Sequence, residues 1–267
     1  MKVCAYCKTE GNLTREHVIP AFICSFLKEK GKSPEGWNDI VKKTIAGEAT
    51  VKDVCSDCNN KALGTLDSYA KQLFIDSGLL VKNYTKENIT LRYDYDLLLR
   101  WLLKVSYNSS RTSGTHAYLF EDYIEYILGH SPTPARTSVA LIAYLAAPEL
   151  YGKSIIKEDV FFKMAQGEKK LIPFLVRVND GGGFRGGGRY KLRVCSFGPM
   201  VFYLLFFNKD LKVGHVASLK RKFVKYAPNA KELTPKRKTI KLESGDYSWL
   251  DLYKTQYLRV RSFDRKG

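Results

Sequence analysis

Two Cys-x-x-Cys pairs constrain this chain of 267 residues more than any other feature of its sequence. They are Cys4 with Cys7 and Cys55 with Cys58, and 47 residues separate the two pairs. Two such pairs supply four thiolates, which is enough for one closed tetrahedral zinc site. Because four protein ligands leave no open coordination position, the predicted zinc is structural. The long separation indicates that a functional segment is inserted between the two halves of the site.

The two remaining cysteines, Cys24 and Cys195, stand among apolar neighbours and are predicted to be buried thiols. This usage favours a metal site in a reducing compartment over a disulfide framework. No apolar run approaches the roughly 20 residues that a membrane span requires, and the N-terminal residues lack the apolar core of a signal peptide. We therefore expect a cytoplasmic protein without membrane contact.

The segments around the cysteine pairs predict a strand–strand–helix unit. Residues 13–19 are expected to be extended, and Pro20 ends their pairing. Residues 50–54 alternate and contain two valines, which predicts a second strand. A helix is expected from Cys58 to about residue 75, because apolar residues recur there every three or four positions.

Glu16 and His17, shortly after the first pair, are the predicted chemical centre. Phosphodiester hydrolysis needs an activated water and a divalent cation, and histidine is the usual general base near neutral pH. Glu16 offers a hard oxygen ligand for such a cation, and Asn59 offers a neutral carbonyl oxygen. Since neighbours on a regular strand point to opposite faces, Glu16 and His17 share a site only if the backbone is irregular. Two plainer interpretations stay open: a partly buried structural histidine, and an asparagine that caps its own helix.

Taken together, these strings resemble the HNH nuclease superfamily with its ββα-metal fold, and especially its zinc-containing branch, which includes the phage junction resolvase endonuclease VII. The resemblance covers roughly residues 1–75. It implies that His17 is the general base and that Glu16 and Asn59 hold one catalytic Mg²⁺ or Mn²⁺ ion. It also implies that the four paired cysteines hold zinc and that the reaction is metal-dependent cleavage of DNA, less often of RNA. Family habit adds the hypothesis of a role in phage defence or on a mobile element.

The chain departs from the family pattern at two points. It has Glu16 where many members carry aspartate, and it lacks the further histidine that many members place on the helix. Asp67 is an open alternative as an oxygen ligand, and Asn38 as the middle asparagine of the motif. For Asp67 the plainer interpretation, a solvated helix residue, is favoured, whereas Asn38 is equally well interpreted as a plain loop residue.

The distribution of charge separates the predicted catalytic segment from the rest of the chain. The formal net charge is +17, yet residues 1–70 contain 10 basic and 9 acidic residues. Residues 71–267 contain 34 basic and 18 acidic residues. Such an excess attracts polyanions, so nucleic acid is the expected partner and the second region its expected binding surface. The alternative is that the lysines merely solubilise the surface.

Two basic segments are candidates for phosphate contacts. The glycine-rich segment 181–188 is predicted to join two strands, and residues 209–241 hold 11 basic against 2 acidic residues. The candidate nucleic-acid-binding residues are Arg185, Arg189, Lys220, Arg221, Lys222, Lys236, Arg237 and Lys238. The alternatives are a flexible hairpin tip and a solvated surface run.

The sequence therefore predicts an α+β protein with two parts. An N-terminal ββα-metal (HNH) nuclease module with structural zinc spans residues 1–78, and a basic, mixed α+β domain spans 79–267. The predicted function is an HNH-type endonuclease. Two rivals stay open: a non-catalytic zinc module that binds nucleic acid, and an adaptor that recognises a protein partner.

Overall fold

The computed structural model describes residues 2–31, 35–38, 43–46, 48–114, 116–150, 170–181 and 188–248. The candidate phosphate ligand Arg185 and a closing element expected at 249–260 lie outside these ranges.

The N-terminal part contains the predicted strand–strand–helix unit. Its elements are β1 (Leu13–His17), α1 (Ala21–Glu29), β2 (Glu35–Asn38), β3 (Lys43–Ala46), β4 (Thr50–Cys55), a π-helical turn (Cys58–Leu63) and α2 (Gly64–Asp76). β1 and β4 pair antiparallel, and the helix begins at Cys58 as the sequence predicts. The sequence of the insertion, residues 31–47, predicts a loop. In the structure this segment contains the antiparallel pair β2–β3.

The remainder of the described chain alternates helices with strands. Its elements are β5 (Asn83–Tyr84), β6 (Asn88–Arg92), α3 (Tyr95–Ser113), a 3₁₀ helix (Ala117–Tyr123), α4 (Ile124–Leu128), β7 (Val139–Ala147), β8 (Glu149–Leu150), β9 (Lys170–Pro173), β10 (Val176–Asp180), β11 (Tyr190–Phe197), β12 (Met200–Phe207), α5 (Val213–Tyr226), β13 (Lys231–Glu232) and β14 (Thr239–Ser248). The protein is thus mixed α+β, as predicted.

The largest sheet within the described residues has seven strands. Its order is β10-β11-β12-β7-β14-β6, with β13 also pairing with β7. Pairing is antiparallel except between β14 and β7, which run parallel. All eight residues of β12 are buried, because its run of aromatic and branched residues lies in the middle of a sheet covered on both faces.

Helix α3 is the element that joins the two parts. It begins at Asp94, whose carboxylate accepts a hydrogen bond from the Leu97 amide, and it ends at Gly114 in the left-handed conformation. Trp101 of α3 packs with its ring centroid 5.6 Å from that of Phe74 in α2 and 5.0 Å from that of Phe197 in β11. One hydrophobic core therefore includes residues on both sides of residue 78. The domain boundary that the sequence predicts there stays a prediction.

Helix α5 lies where the sequence indicated only a basic polar tail. Val216, Leu219 and Phe223 are buried on one face, with the Phe223 ring 5.1 Å from that of Tyr203 in the sheet. The apolar positions recur at helical spacing, but the many lysines between them hid the pattern. None of the helices in the described ranges combines the length and apolarity that crossing a bilayer requires.

Candidate metal centre and the polar network behind it

The four paired cysteines converge on one point. The Sγ atoms of Cys4, Cys7, Cys55 and Cys58 all lie within 4.8 Å of one another, and those of Cys7 and Cys55 are 3.6 Å apart. Sulfurs around a tetrahedral zinc with Zn–S bonds of about 2.3 Å are separated by about 3.8 Å. All four are free thiols rather than disulfides. The cluster therefore fits a metal such as zinc, which thiolates bind in preference to magnesium.

Two local turns bring these thiols together. In the first, the Cys4 amide donates to the Thr9 carbonyl (2.9 Å) and the Lys8 amide to the Cys4 carbonyl (3.1 Å), with Lys8 at a φ of 62°. In the second, Cys55 ends β4 and Cys58 opens the π-helical turn. The amide of Cys55 donates to the Cys4 Sγ (3.3 Å), a bond that favours the thiolate form needed by a metal ligand.

The cluster is electrostatically incomplete without a cation. Burial raises the pKa of Cys58, and the neighbouring cysteines raise it further. Burial also tends to raise the pKa of Cys7, but hydrogen bonds from Thr9, Cys4 and Cys55 outweigh it and lower that pKa to about 6. The Cys7 thiolate thus forms readily, whereas burial raises the pKa of Cys55 and Cys58. A bound cation removes this conflict, because metal binding replaces the protons of all four thiols.

His17 lies at the end of β1, with its side chain 30% exposed. Its Nε2 is 2.8 Å from a carboxylate oxygen of Glu48, and the other Glu48 oxygen is 2.7 Å from the Lys28 ammonium of α1. The bond from Lys28, followed by that from His17, holds the pKa of Glu48 below its usual value. Since an ionised carboxylate only accepts hydrogen bonds, Nε2 carries the proton and Nδ1 of neutral His17 carries the lone pair.

Glu16 points away from His17. The two residues pair regularly with Val51 and Thr50 of β4, and the register shift in β1 falls earlier, between Thr14 and Arg15. Neighbours on such a strand face opposite sides. Glu16 is only 4% exposed, and its Oε1 accepts hydrogen bonds from Lys104 (2.8 Å) and Asn108 (3.0 Å) of α3.

Asp67, the alternative oxygen ligand, meets the same lysine. Lys104 is 1% exposed, and its ammonium lies 2.7 Å from Asp67 Oδ2 and 2.8 Å from Glu16 Oε1. The other Asp67 oxygen accepts a hydrogen bond from the Trp101 indole (3.1 Å). The structure brings Glu16 and Asp67 together, but around an ammonium group. Asn38 lies at the end of β2, paired with Lys43.

Asn59 fastens the start of the helix to β1. Its amide nitrogen donates to Thr14 Oγ1 (2.9 Å) and to the Arg15 carbonyl (3.0 Å). Both amide hydrogens are thereby directed at the strand, which leaves Oδ1 as the ligand atom that the resemblance requires. The side chain acts across the unit and does not bond the amides of its own helix in the described hydrogen bonds.

A catalytic divalent ion does not fit at Glu16 in this arrangement. Mg²⁺ and Mn²⁺ require carboxylate or carbonyl oxygens in their first coordination shell. The Glu16 carboxylate is instead turned into the protein and neutralised by Lys104. The predicted pair of Glu16 and Asn59 is therefore not assembled as a metal site.

The candidate phosphate ligands differ in how free their charges are. Lys220 is half-buried and lies 2.9 Å from Glu232, and Lys238 lies 3.4 Å from Asp94. The exposed members within the described ranges are Arg189, Arg221, Lys222, Lys236, Arg237 and Lys238, and of these only Lys238 has an ion pair among the described residues. Helix α5, which carries two of them, contains no acidic residue.

Sequence reasoning missed the polar face of α3. Lys104, Asn108 and Arg111 occur at helical spacing, and Lys104 and Asn108 lie among the buried residues of the helix. Asn108 Oδ1 accepts hydrogen bonds from Tyr6 (2.7 Å) and Arg111 (2.6 Å). Arg111 also pairs with Asp53 of β4. Polar residues at positions i, i+4 and i+7 on the buried side were the available signal, because such a face must meet polar partners.

Comparison of the chain with protein-family models, curated proteins and solved structures finds no match. A functional assignment therefore depends on the chemistry of these residues.

Proposed function

We propose that this protein is a phosphodiester hydrolase that cleaves nucleic acid, with DNA as its substrate and His17 as the general base. The observation that carries the proposal is the His17–Glu48 pair, which lies in a strand–strand–helix unit whose other end is formed by four converging thiols. A histidine oriented by a carboxylate is a common arrangement for a group that takes a proton from water.

The roles of the residues follow from their contacts. Glu48 fixes the imidazole through Nε2, and Lys28 keeps Glu48 ionised and in place. Nδ1 then receives a proton from the attacking water as the water oxygen bonds to phosphorus, and Glu48 stabilises the imidazolium that forms. The bond from phosphorus to the leaving sugar oxygen breaks, and that oxygen takes a proton from solvent. The cysteine cluster, with a metal such as zinc bound, holds the turn before β1 to the turn that follows β4.

The Mg²⁺ or Mn²⁺ ion that the family resemblance implies has no step in this mechanism. Its expected ligand Glu16 is bound to Lys104 and faces away from His17. The cleavage assay below therefore measures whether the reaction requires a divalent ion.

The proposed grip on the substrate comes from outside the cysteine-containing part. Exposed cations on α5 and in the turn before β14 offer phosphate contacts without an acidic residue on the helix. Because each phosphate contact releases counterions, binding should fall steeply as salt rises.

A cleavage assay tests the proposal. Supercoiled plasmid, linear duplex and single-stranded DNA and RNA are incubated with the zinc-loaded protein in the presence of Mg²⁺, Mn²⁺ or neither. We expect His17→Ala to lower the cleavage rate by about 10²- to 10⁴-fold, the usual contribution of a general base. We expect Glu48→Gln to have a smaller effect.

His130→Ala is the matched control. His130 follows α4, is exposed and lies outside the cysteine-containing part, and its Nδ1 is 3.2 Å from a carboxylate oxygen of Glu125. It should cleave like the wild type. Equal rates for wild type and His17→Ala, or no cleavage of any substrate by a protein with full zinc content, would contradict the proposal.

A second candidate is a non-catalytic zinc module that binds nucleic acid. The observation that favours it is the neutralisation of Glu16 by Lys104, which removes a charge that a catalytic metal would use. It predicts that His17→Ala leaves nucleic-acid binding unchanged and that Cys55→Ser abolishes the folded module. Cleavage that requires His17, with or without added Mg²⁺ or Mn²⁺, would rule it out.

A further inference from the structure

We infer that Lys104 is a built-in cation that keeps divalent metal ions away from the carboxylates of Glu16 and Asp67. The inference concerns the metal selectivity of the module and does not depend on whether His17 cleaves nucleic acid.

The first support is the position of the ammonium group. Lys104 Nζ lies 2.8 Å from Glu16 and 2.7 Å from Asp67, so it occupies the space between two carboxylates from different elements. The lysine is 1% exposed and Glu16 is 4% exposed. Charge-assisted hydrogen bonds of this length are strong, and a buried ammonium with two anionic partners has no better alternative nearby.

The second support is that the surrounding groups are hydrogen-bond donors. Trp101 donates its indole N–H to the second oxygen of Asp67, and Asn108 donates its amide to Glu16. Both come from α3, as Lys104 does. One helix face thus presents three donors to two carboxylates, and a divalent ion would have to enter beside a fixed positive charge. Like charges in a poorly solvated site repel strongly.

The third support is that Asn108 links this arrangement to β1. The same amide that bonds Glu16 donates to the His17 carbonyl (3.0 Å). Lys104 and Asn108 therefore fix both the orientation of Glu16 and the backbone of His17. They act as positioning residues, and hard metal ions are left without a carboxylate pair at this place.

A manganese titration tests the inference. Mn²⁺ prefers oxygen ligands, and its free concentration can be followed by electron paramagnetic resonance without disturbing zinc on thiolates. The titration uses zinc-loaded full-length protein in four forms: wild type, Glu16→Gln, Lys104→Met and the double variant Lys104→Met/Glu16→Gln. We expect wild type and Glu16→Gln to bind Mn²⁺ equally weakly.

We expect Lys104→Met to gain one Mn²⁺ site with at least about tenfold higher affinity, because removing the ammonium leaves the buried Glu16 carboxylate and the partly buried Asp67 carboxylate without a cation between them. Mn²⁺ should also raise the melting temperature of this variant by several degrees and leave that of the wild type unchanged. The double variant should lose the gain. A folded Lys104→Met that gains no site would overturn the inference.

If Lys104→Met does not fold, the comparison of Mn²⁺ binding by the wild type and by Glu16→Gln decides the question. Weaker Mn²⁺ binding by Glu16→Gln than by the wild type would show that Glu16 already holds a divalent ion beside Lys104, which is incompatible with exclusion. Equal binding by the two supports exclusion. Neither outcome depends on cleavage activity, so the nuclease proposal stands or fails separately.

Discussion

The seven-stranded sheet and the cysteine-containing part of the molecule are held together by different physical means. Every residue of β12 is buried, whereas only Val54 of the six residues in β4 is buried. Burial of apolar area is enough to stabilise the sheet. The β1–β4 pair buries too little, and at its end lies a cluster of thiols that is completed only by a metal. The sheet is therefore specified by burial, whereas we expect the cysteine-containing part to depend on a metal held by its thiols.

Helix α3 shows how the two solutions are joined in one molecule. Its apolar side, with Trp101, enters the common core, and its polar side, with Lys104, Asn108 and Arg111, meets the module. Buried charges fix geometry more than they add stability. The contacts of α3 orient the cysteine-containing part, and we expect a thiolate-bound metal to be required for the folding of that part.

The largest effect of a single core substitution is expected in the sheet. Leu204→Ala in β12 should lower the free energy of unfolding by about 2–5 kcal/mol, because Leu204 is fully buried and a cavity remains. Val194→Ala in β11, at a half-buried position, is the control with a smaller loss. Denaturant unfolding measures both. Zinc content should stay at the wild-type value; loss of zinc from Leu204→Ala would show that the two regions are not specified separately.

A smaller effect is expected at the junction of α3 with β4. Arg111→Met should cost about 3 kcal/mol, because it leaves the partly buried Asp53 carboxylate, whose Oδ1 has no other partner among the described residues, without its ionic partner. Arg100→Met is the control, since the Arg100 guanidinium bonds mainly the Ile127 carbonyl and lies 3.8 Å from the half-exposed Asp96. Rates of zinc release to a chelator, measured with unfolding curves, should rise only for Arg111→Met.

Asn108 should matter less than a charge. Asn108→Ala removes the hydrogen-bond partner of Tyr6, Glu16 and the His17 carbonyl, so we expect a loss of about 1–3 kcal/mol. Ser110→Ala, two residues further along α3, is the control. The Ser110 hydroxyl is buried without a hydrogen-bond partner among the described residues, and its removal should be neutral or stabilising. Equal losses in the two thermal melts would contradict a specific role for the network.

The smallest effect is expected in the first cysteine turn. Lys8 has a φ of 62°, a left-handed conformation that costs a side-chain-bearing residue about 1–2 kcal/mol. Lys8→Gly relieves this strain, but glycine loses more entropy on folding, so the net gain should be at most about 1 kcal/mol. Competition for zinc with a chromophoric chelator measures it. A weaker zinc affinity would contradict the strain argument and assign the turn's geometry to the Lys8–Ala5 hydrogen bond instead.

Sequence patterns were informative where a period or a spacing was strong. The cysteine spacing predicted the thiol cluster, and alternation and apolar stripes predicted β1, β4 and α2. Helix α5 was hidden by its lysines, and the hairpin β2–β3 by the shortness of its strands, which have 4 residues each.

Only part of the candidate site could be predicted from the sequence, because tertiary contacts determine which side chains meet there. No local pattern shows that Glu48, 31 residues after His17, supplies its carboxylate partner. Likewise, the partner of Glu16 lies 88 positions away on α3. Adjacency of Glu16 and His17 in the sequence suggested one shared site, but regular strand geometry places them on opposite faces.

Hydrogen exchange before and after zinc chelation tests the central contrast most directly. The zinc-loaded protein should contain one zinc per chain, and peptides covering β1 and β4 should be protected. After chelation, these peptides should lose protection while peptides covering β7 and β12 keep theirs. Unchanged exchange in β1 and β4 after complete removal of zinc, or loss of protection in all four strands together, would contradict the account.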